Sequence, residues 1–90
     1  MMKTITLDVS NIQTKRALHI YLQYILELPA HYGRNLDALY DVLAAESEEM
    51  CLVLLGAQHA QGELTAYMPG LLEVLEDAAQ ENEKLHIEVK

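Results

Sequence analysis

Between Lys3 and Val9 apolar and polar residues alternate, with Ile5, Leu7 and Val9 set against Thr4, Thr6 and Asp8. That is the two-residue period of a strand with one buried side. The period then changes. Leu18, Tyr21, Leu22 and Ile25 recur at the i, i+3, i+4, i+7 spacing of a helix with one apolar stripe, which predicts a helix from about Thr14 to Leu26. Pro29 is expected to end it, because the residue before a proline is pushed out of helical backbone. Ala30 to Arg34 reads as a loop in which Gly33 is free to take a positive φ, and Asn35 as the N-cap of a second helix. On a wheel of about 100° per residue, Leu36, Leu39, Val42 and Leu43 gather on one side of that helix. Asp37 and Asp41 fall nearly opposite, with Tyr40 on the flank.

A polar connection from Glu46 to Glu49 leads into MCLVLL at Met50 to Leu55, a continuous apolar run of the kind expected for a strand covered on both faces. Gly56 to Gly62 is a loop or a short helix. A further helix is expected from about Met68, with Pro69 in its first turn and Leu71, Val74, Leu75 and Ala78 as its stripe. Its outer face is acidic, carrying Glu73, Glu76, Asp77 and Glu81. Leu85, Ile87 and Val89 alternate in a closing strand. Helices between strands imply right-handed crossovers onto a small parallel sheet, an α/β architecture in a single domain spanning residues 1–90.

Charge narrows the function. Six basic and 14 acidic residues leave a formal net charge of −8. A nucleic-acid binder needs a positive footprint to neutralise phosphates, so no direct nucleic-acid partner is expected. The same charge repels anionic membranes and hastens encounter with a basic protein. The lone Cys51 lies within an apolar run, so it forms no intrachain disulfide and reads as a buried, inert thiol. The N-terminal MMKTITLDVS lacks the apolar core of a secretion signal, and no stretch reaches the ~18 apolar residues of a membrane span. The chain is therefore expected to be cytoplasmic.

Asp37 and Asp41 pose the question of chemistry. At i, i+4 on a helix, two like charges cost about 0.2–0.5 kcal/mol when exposed. Asp37 is compensated by the helix macrodipole in the first turn, whereas Asp41 gains little from it. The sequence has no glycine-rich phosphate loop, no nucleophile elbow and no HExxH, so an enzyme is not expected. The best enzymatic arrangement, His31 as a base oriented by Asp37 or Asp41, is weighed against a surface histidine on a loop. Two carboxylates supply too few oxygens for a hard cation, and neither metal nor cofactor is expected. His19, His59 and His86 are read as surface or rim side chains. The acidic residues could be a solvated helix face. Tyr40, with His31 and Tyr32 in the preceding loop and few lysines nearby, instead gives the composition of a protein interface.

The segment LPAHYGRNLDALYDVL, residues 28–43, resembles the signature of the barstar family of bacterial inhibitors of the ribonuclease barnase. The likeness is carried by Leu28, Pro29, Tyr32, Gly33, Asn35, Leu36, Asp37, Ala38, Leu39 and Asp41. Leu52 to Leu54, the Leu64–Thr65 pair and the acidic last helix follow in the family's order. What the resemblance implies is a three-stranded parallel sheet in a single layer packed with helices, and inhibition by plugging a ribonuclease active site. Asp41 takes the place of the aspartate that enters the phosphate site, flanked by Asp37 and Tyr40, with Asp77 making a peripheral ion pair. The partner-binding residues are then His31, Tyr32, Gly33, Arg34, Asn35, Asp37, Ala38, Tyr40, Asp41 and Asp77.

The pattern departs from the family at several places. The family has a tyrosine at His31, a tryptophan at Tyr40, an acid at Arg34 and another aromatic near Glu46 or Ser47. Its cysteines are replaced by Val42 and Glu83, which leaves Cys51 without a family role. The expected protein is a monomeric immunity protein that binds a basic ribonuclease or nuclease toxin in a 1:1 complex. The alternative is a barstar-fold interaction module whose partner is not a nuclease.

Overall fold

The chain alternates strand and helix as the periodicity requires. A computed structural model describes residues 2–90, in the order β1 (Lys3–Asp8), α1 (Lys15–Ile25), α2 (Leu36–Ala44), β2 (Met50–Leu55), a short 3-10 turn (Ala57–His59), α3 (Leu64–Glu81) and β3 (Leu85–Val89). The strands form one parallel sheet in the order β1-β2-β3, with Ile5 opposite Leu52 and Leu52 opposite Ile87. The fold is α/β, as expected. No helix among the described residues is long and apolar enough to cross a membrane.

One core unites these elements. Leu7 and Val9 from β1, Leu18 and Leu22 from α1, Leu39 and Leu43 from α2, and Met50, Leu52 and Leu54 from β2 join Leu64, Leu71 and Leu75 from α3 and Leu85 from β3. Each fully buried leucine contributes about 1.5–3 kcal/mol. The apolar run of β2 proves to be covered by this core on one face only. Met50, Leu52 and Leu54 belong to the core cluster, whereas Val53 is buried at 8% exposure yet lies outside it. By register the opposite face of the sheet carries Thr4, Thr6 and Asp8, then Cys51, Val53 and Leu55, then His86 and Glu88. Val53 lies there in register between Thr6 and Glu88, so a central strand flanked on both sides can be apolar on both faces while the core covers one of them.

The helix ends depart from the sequence reading in two respects. The first concerns α1, which has the expected extent, from the Thr14 cap, whose Oγ1 accepts the Ala17 N–H at 3.0 Å, to Leu26. What ends it is not Pro29. Leu28 donates its N–H to the Gln23 carbonyl and Glu27 donates to Tyr24, the two bonds of a Schellman motif, with Glu27 left-handed at φ 54°. The second concerns α3, which begins at Leu64 rather than near Met68, so Pro69 lies inside the helix and not in its first turn. Leu64 and Met68 are buried and extend the stripe backwards, and packing overrides the proline's missing donor.

The stretch left open between Gly56 and Gly62 is the 3-10 turn and a second turn. Gly56 sits at φ 81°, and a Cβ there would lie 2.7 Å from Ser10 Cβ, so only glycine fits between the β2 and β1 loops.

Glu27 offers a direct check on the α1 terminus. A left-handed backbone costs a residue with a Cβ roughly 1–2 kcal/mol, part of which glycine returns as chain entropy. Glu27→Gly is expected to raise unfolding free energy by about 0.5–1 kcal/mol in urea titration, and a loss of stability would mean that the terminus is held by the Glu27 side chain instead.

Candidate partner-binding face

Asn35 is the N-cap of α2, as its sequence position predicts: its Oδ1 accepts the Ala38 N–H at 2.7 Å and its Nδ2 donates to the Gly33 carbonyl at 3.2 Å. The leucine stripe turns inward, with Leu39 and Leu43 buried, and carries Asp37 and Asp41 into solvent on the far side. Neither aspartate pairs with a cation among the described residues; the ion pairs there join His86 to Glu49 and Lys90 to Glu88.

The loop before α2 is built to be rigid. Its Tyr32 N–H closes a turn onto the Pro29 carbonyl, and Gln23 of α1 braces both ends, donating from Nε2 to Pro29 at 2.8 Å and accepting from Arg34 Nε at 3.0 Å. The positive φ expected at Gly33 falls on Arg34 instead, at 54°. Gly33 serves close approach: a Cβ there would meet Ala38 Cβ at 3.2 Å. His31 is exposed at the loop tip, and Arg34 lies at the surface.

Tyr32 turns into the core at 6% exposure. Its hydroxyl lies 2.7 Å from Nδ1 of His19, while Nε2 of the same imidazole lies 2.7 Å from the Tyr67 hydroxyl. His19, expected at the surface, is in fact 1% exposed. It joins α1, the loop and α3 in one bridge. A neutral imidazole has one donor and one acceptor nitrogen, so it donates to one tyrosine and accepts from the other, and both ring nitrogens are satisfied. Burial lowers the His19 pKa below the ordinary histidine value. The Tyr32 phenol is pushed up to about 12 by burial and by Tyr67, and burial also raises Tyr67. The signal for His19 was in the chain: it sits beside Leu18 and one turn before Leu22, on the buried stripe of α1.

Asp77 projects from α3, which packs on α2, and the effect of that packing is felt at Tyr40. Partial burial and the carboxylates of Glu81, Asp77 and Asp41 all raise the Tyr40 pKa, so acids of both helices act on the phenol. Glu81, one turn beyond Asp77, was absent from the sequence-based set although its spacing puts it on the same side. The alignment of the two helices is fixed by the buried Asn82. Its Nδ2 donates to the carbonyls of Leu43 and Glu46, each at 2.9 Å, and its Oδ1 accepts the Lys84 N–H at 3.0 Å. The C-terminus of α2 is thereby tied to that of α3. The result is an acidic face shared by α2 and α3, with Asp37, Asp41, Asp77 and Glu81 all exposed, suited to a cationic group.

The family model described as Barstar (barnase inhibitor) matches residues 2–90. The chain belongs to the barstar family. Among curated relatives of this barstar-family chain, the protein named "Putative ribonuclease inhibitor YrdF" from Bacillus subtilis (strain 168) is 35% identical over 81 residues, covering 89% of each chain. Together these support a barnase-inhibitor-like role and a ribonuclease as the class of partner.

The His19 bridge makes stability depend on pH. With the folded pKa below the unfolded value of about 6.5, the unfolded chain binds the proton first. Stability is therefore complete above the unfolded pKa and falls as pH drops toward the folded one. Urea titrations between about pH 7 and 5 are expected to show this decline, with His19→Gln flattening it. An unchanged slope in the variant would assign the decline to other groups.

Proposed function

We propose that this chain is an intracellular inhibitor, an immunity protein, for a basic ribonuclease or nuclease toxin, and that it acts by seating α2 and the preceding loop in the enzyme's active site. The observation that carries this reading is the exposure of Asp37 and Asp41 on α2 and of Asp77 and Glu81 on the α3 packed against it, with no ion pair from any of them to a basic side chain among the described residues. A ribonuclease concentrates positive charge where the phosphate and its transition state sit. A carboxylate on a rigid helix fits that site as an anion would. Asp41 takes the phosphate position, Asp37 and Tyr40 flank it, and Asp77 adds a peripheral pair. His31, Gly33, Arg34, Asn35 and Ala38 line the contact, while Tyr32 acts from behind by holding the loop.

The charge repulsion in the free protein also has a use in this reading. Mutual repulsion among these acids is relieved when a cationic cleft covers them, so the binding free energy includes that relief. Bracing by Gln23, His19 and Asn35 lowers the ordering cost of the loop on association. One chain meets one enzyme, and steering by the acidic face speeds the encounter.

Affinity capture with the parent and with an Asp37→Ala, Asp41→Ala double variant, followed by RNA-cleavage assays on what is retained, is expected to recover a basic nuclease with the parent alone. With that nuclease in hand, Asp41→Ala is expected to weaken binding by about 30-fold, or roughly 2 kcal/mol. Asp77→Ala acts chiefly on the association rate, and that rate falls with added salt. A change of less than about threefold for Asp41→Ala rules out the plug. A non-nuclease retained in the same pattern keeps the face but makes the chain an interaction module.

A further inference from the structure

Both edges of the sheet leave outward N–H groups without a partner among the described residues, Thr4 and Thr6 on β1 and Ile87 and Val89 on β3. Along β1 the odd-numbered residues bond to β2, with Lys3 N–H donating to Glu49 and Val9 N–H to Leu55, which leaves Thr4, Thr6 and Asp8 facing outward. The Tyr21 hydroxyl accepts the Asp8 N–H at 3.1 Å and closes that end of the edge. Along β3 the even-numbered residues bond to β2: Lys84 accepts from Met50, and Lys90 donates to Leu54. Leu85, Ile87 and Val89 therefore face outward. The Leu85 N–H is taken by the Asn82 carbonyl, the outward groups of Ile87 and Val89 make no hydrogen bond among the described residues, and Val89 is 51% exposed. An uncapped edge with an exposed β-branched residue is a template for another strand.

We propose that the β3 edge is a self-pairing surface, on which a second copy of this chain adds its own β3 antiparallel about a twofold axis at Ile87, joining two sheets into one. The inference stands apart from the inhibitor reading and departs from the monomer expected from sequence.

Three features favour a second copy. In an antiparallel pair outward-facing residues must oppose outward-facing ones, and the register centred on Ile87 is the one that pairs all of Leu85–Val89. In that register Ile87 exchanges both of its bonds with its counterpart, and each Val89 N–H reaches the other copy's Leu85 carbonyl, so the open donors find acceptors. The same register sets His86 of each copy opposite Glu88 of the other, twice by symmetry, an imidazole N–H facing a carboxylate. A shift of the axis by one residue toward the C-terminus would instead oppose Glu88 to Glu88. At the strand ends Lys84 faces Lys90, but Lys84 Nζ is drawn to the Ser47 carbonyl at 3.0 Å and Lys90 Nζ to Glu88 at 3.5 Å. Within its own chain His86 also contacts Glu49 at 3.6 Å on the open face, which leaves the imidazole near two carboxylates in the pair. Strand pairing of this length makes a small, weak interface.

Sedimentation velocity from about 10 μM to about 1 mM tests this, together with concentration-dependent amide shifts of Ile87 and Val89. The parent is expected to pass from monomer to dimer over that range. Val89→Pro removes an outward donor without touching the ladder to β2 and is expected to abolish the dimer. Glu88→Lys, which sets the lysine against His86, is expected to weaken it about tenfold. The double variant His86→Glu, Glu88→Lys restores complementary charges and is expected to return dimerisation to within about threefold of the parent. Circular dichroism confirms the fold of each variant. A constant monomer mass throughout, shifts that map away from β3, or association indifferent to these substitutions overturns the proposal.

Discussion

The loop that leads into the charged helix is held from behind by a histidine that is itself buried. His19 is held between the hydroxyls of Tyr32 and Tyr67, and through them α1, the loop before α2 and α3 share one set of positions. The rings pack as well as bond, with centroids 5.9 and 5.8 Å apart and the Tyr67 contact nearly perpendicular, an edge-to-face geometry. A buried polar network of this kind is stable only when every member is satisfied, and both imidazole nitrogens are. Loss of any one partner leaves a desolvated polar atom in the core. Three residues far apart in the chain thus act as a unit.

The loop gains its shape from the inside. Tyr32 faces the core, the Asn35 cap and Gln23 secure the backbone on either side, and Arg34 takes the left-handed conformation that lets the chain turn into α2. At the other end of α2, Asn82 donates to the Leu43 carbonyl and to the Glu46 carbonyl just past the helix, and accepts from the Lys84 N–H just ahead of β3, so this end of α2 is pinned by residues distant in sequence. The acids of α2 and α3 then stand around Tyr40 at positions set by the scaffold rather than by their own attractions. Their repulsion is a cost that the core supports. For a barstar-family chain this separation of tasks is what lets a surface be strongly charged without being mobile.

Local chemistry made much of this legible. The alternation at Ile5, Leu7 and Val9 and at Leu85 and Ile87, the helical stripes, the Asn35 cap and the outward position of Asp37 and Asp41 are all consequences of period and polarity, which act between near neighbours. So is the acidic character of the face. The readings that departed from the fold share a different cause. Val53 is buried on the face away from the core, in register between Thr6 and Glu88, which are far from it in sequence. The start of α3 at Leu64 is set by packing that outweighs a proline, and the end of α1 by a turn at Glu27 whose residue type does not announce it.

The sequence by itself determined the class of the fold, the family resemblance and the charged face, because side-chain period, charge and a contiguous motif are properties of short stretches of chain. Only the tertiary structure decided which residues serve behind that face. Whether His19 points to water or bridges two tyrosines depends on where α3 brings Tyr67, and whether Glu81 joins Asp77 beside Tyr40 depends on how α3 lies against α2. These are long-range distances, and distance in space is settled by packing the whole core.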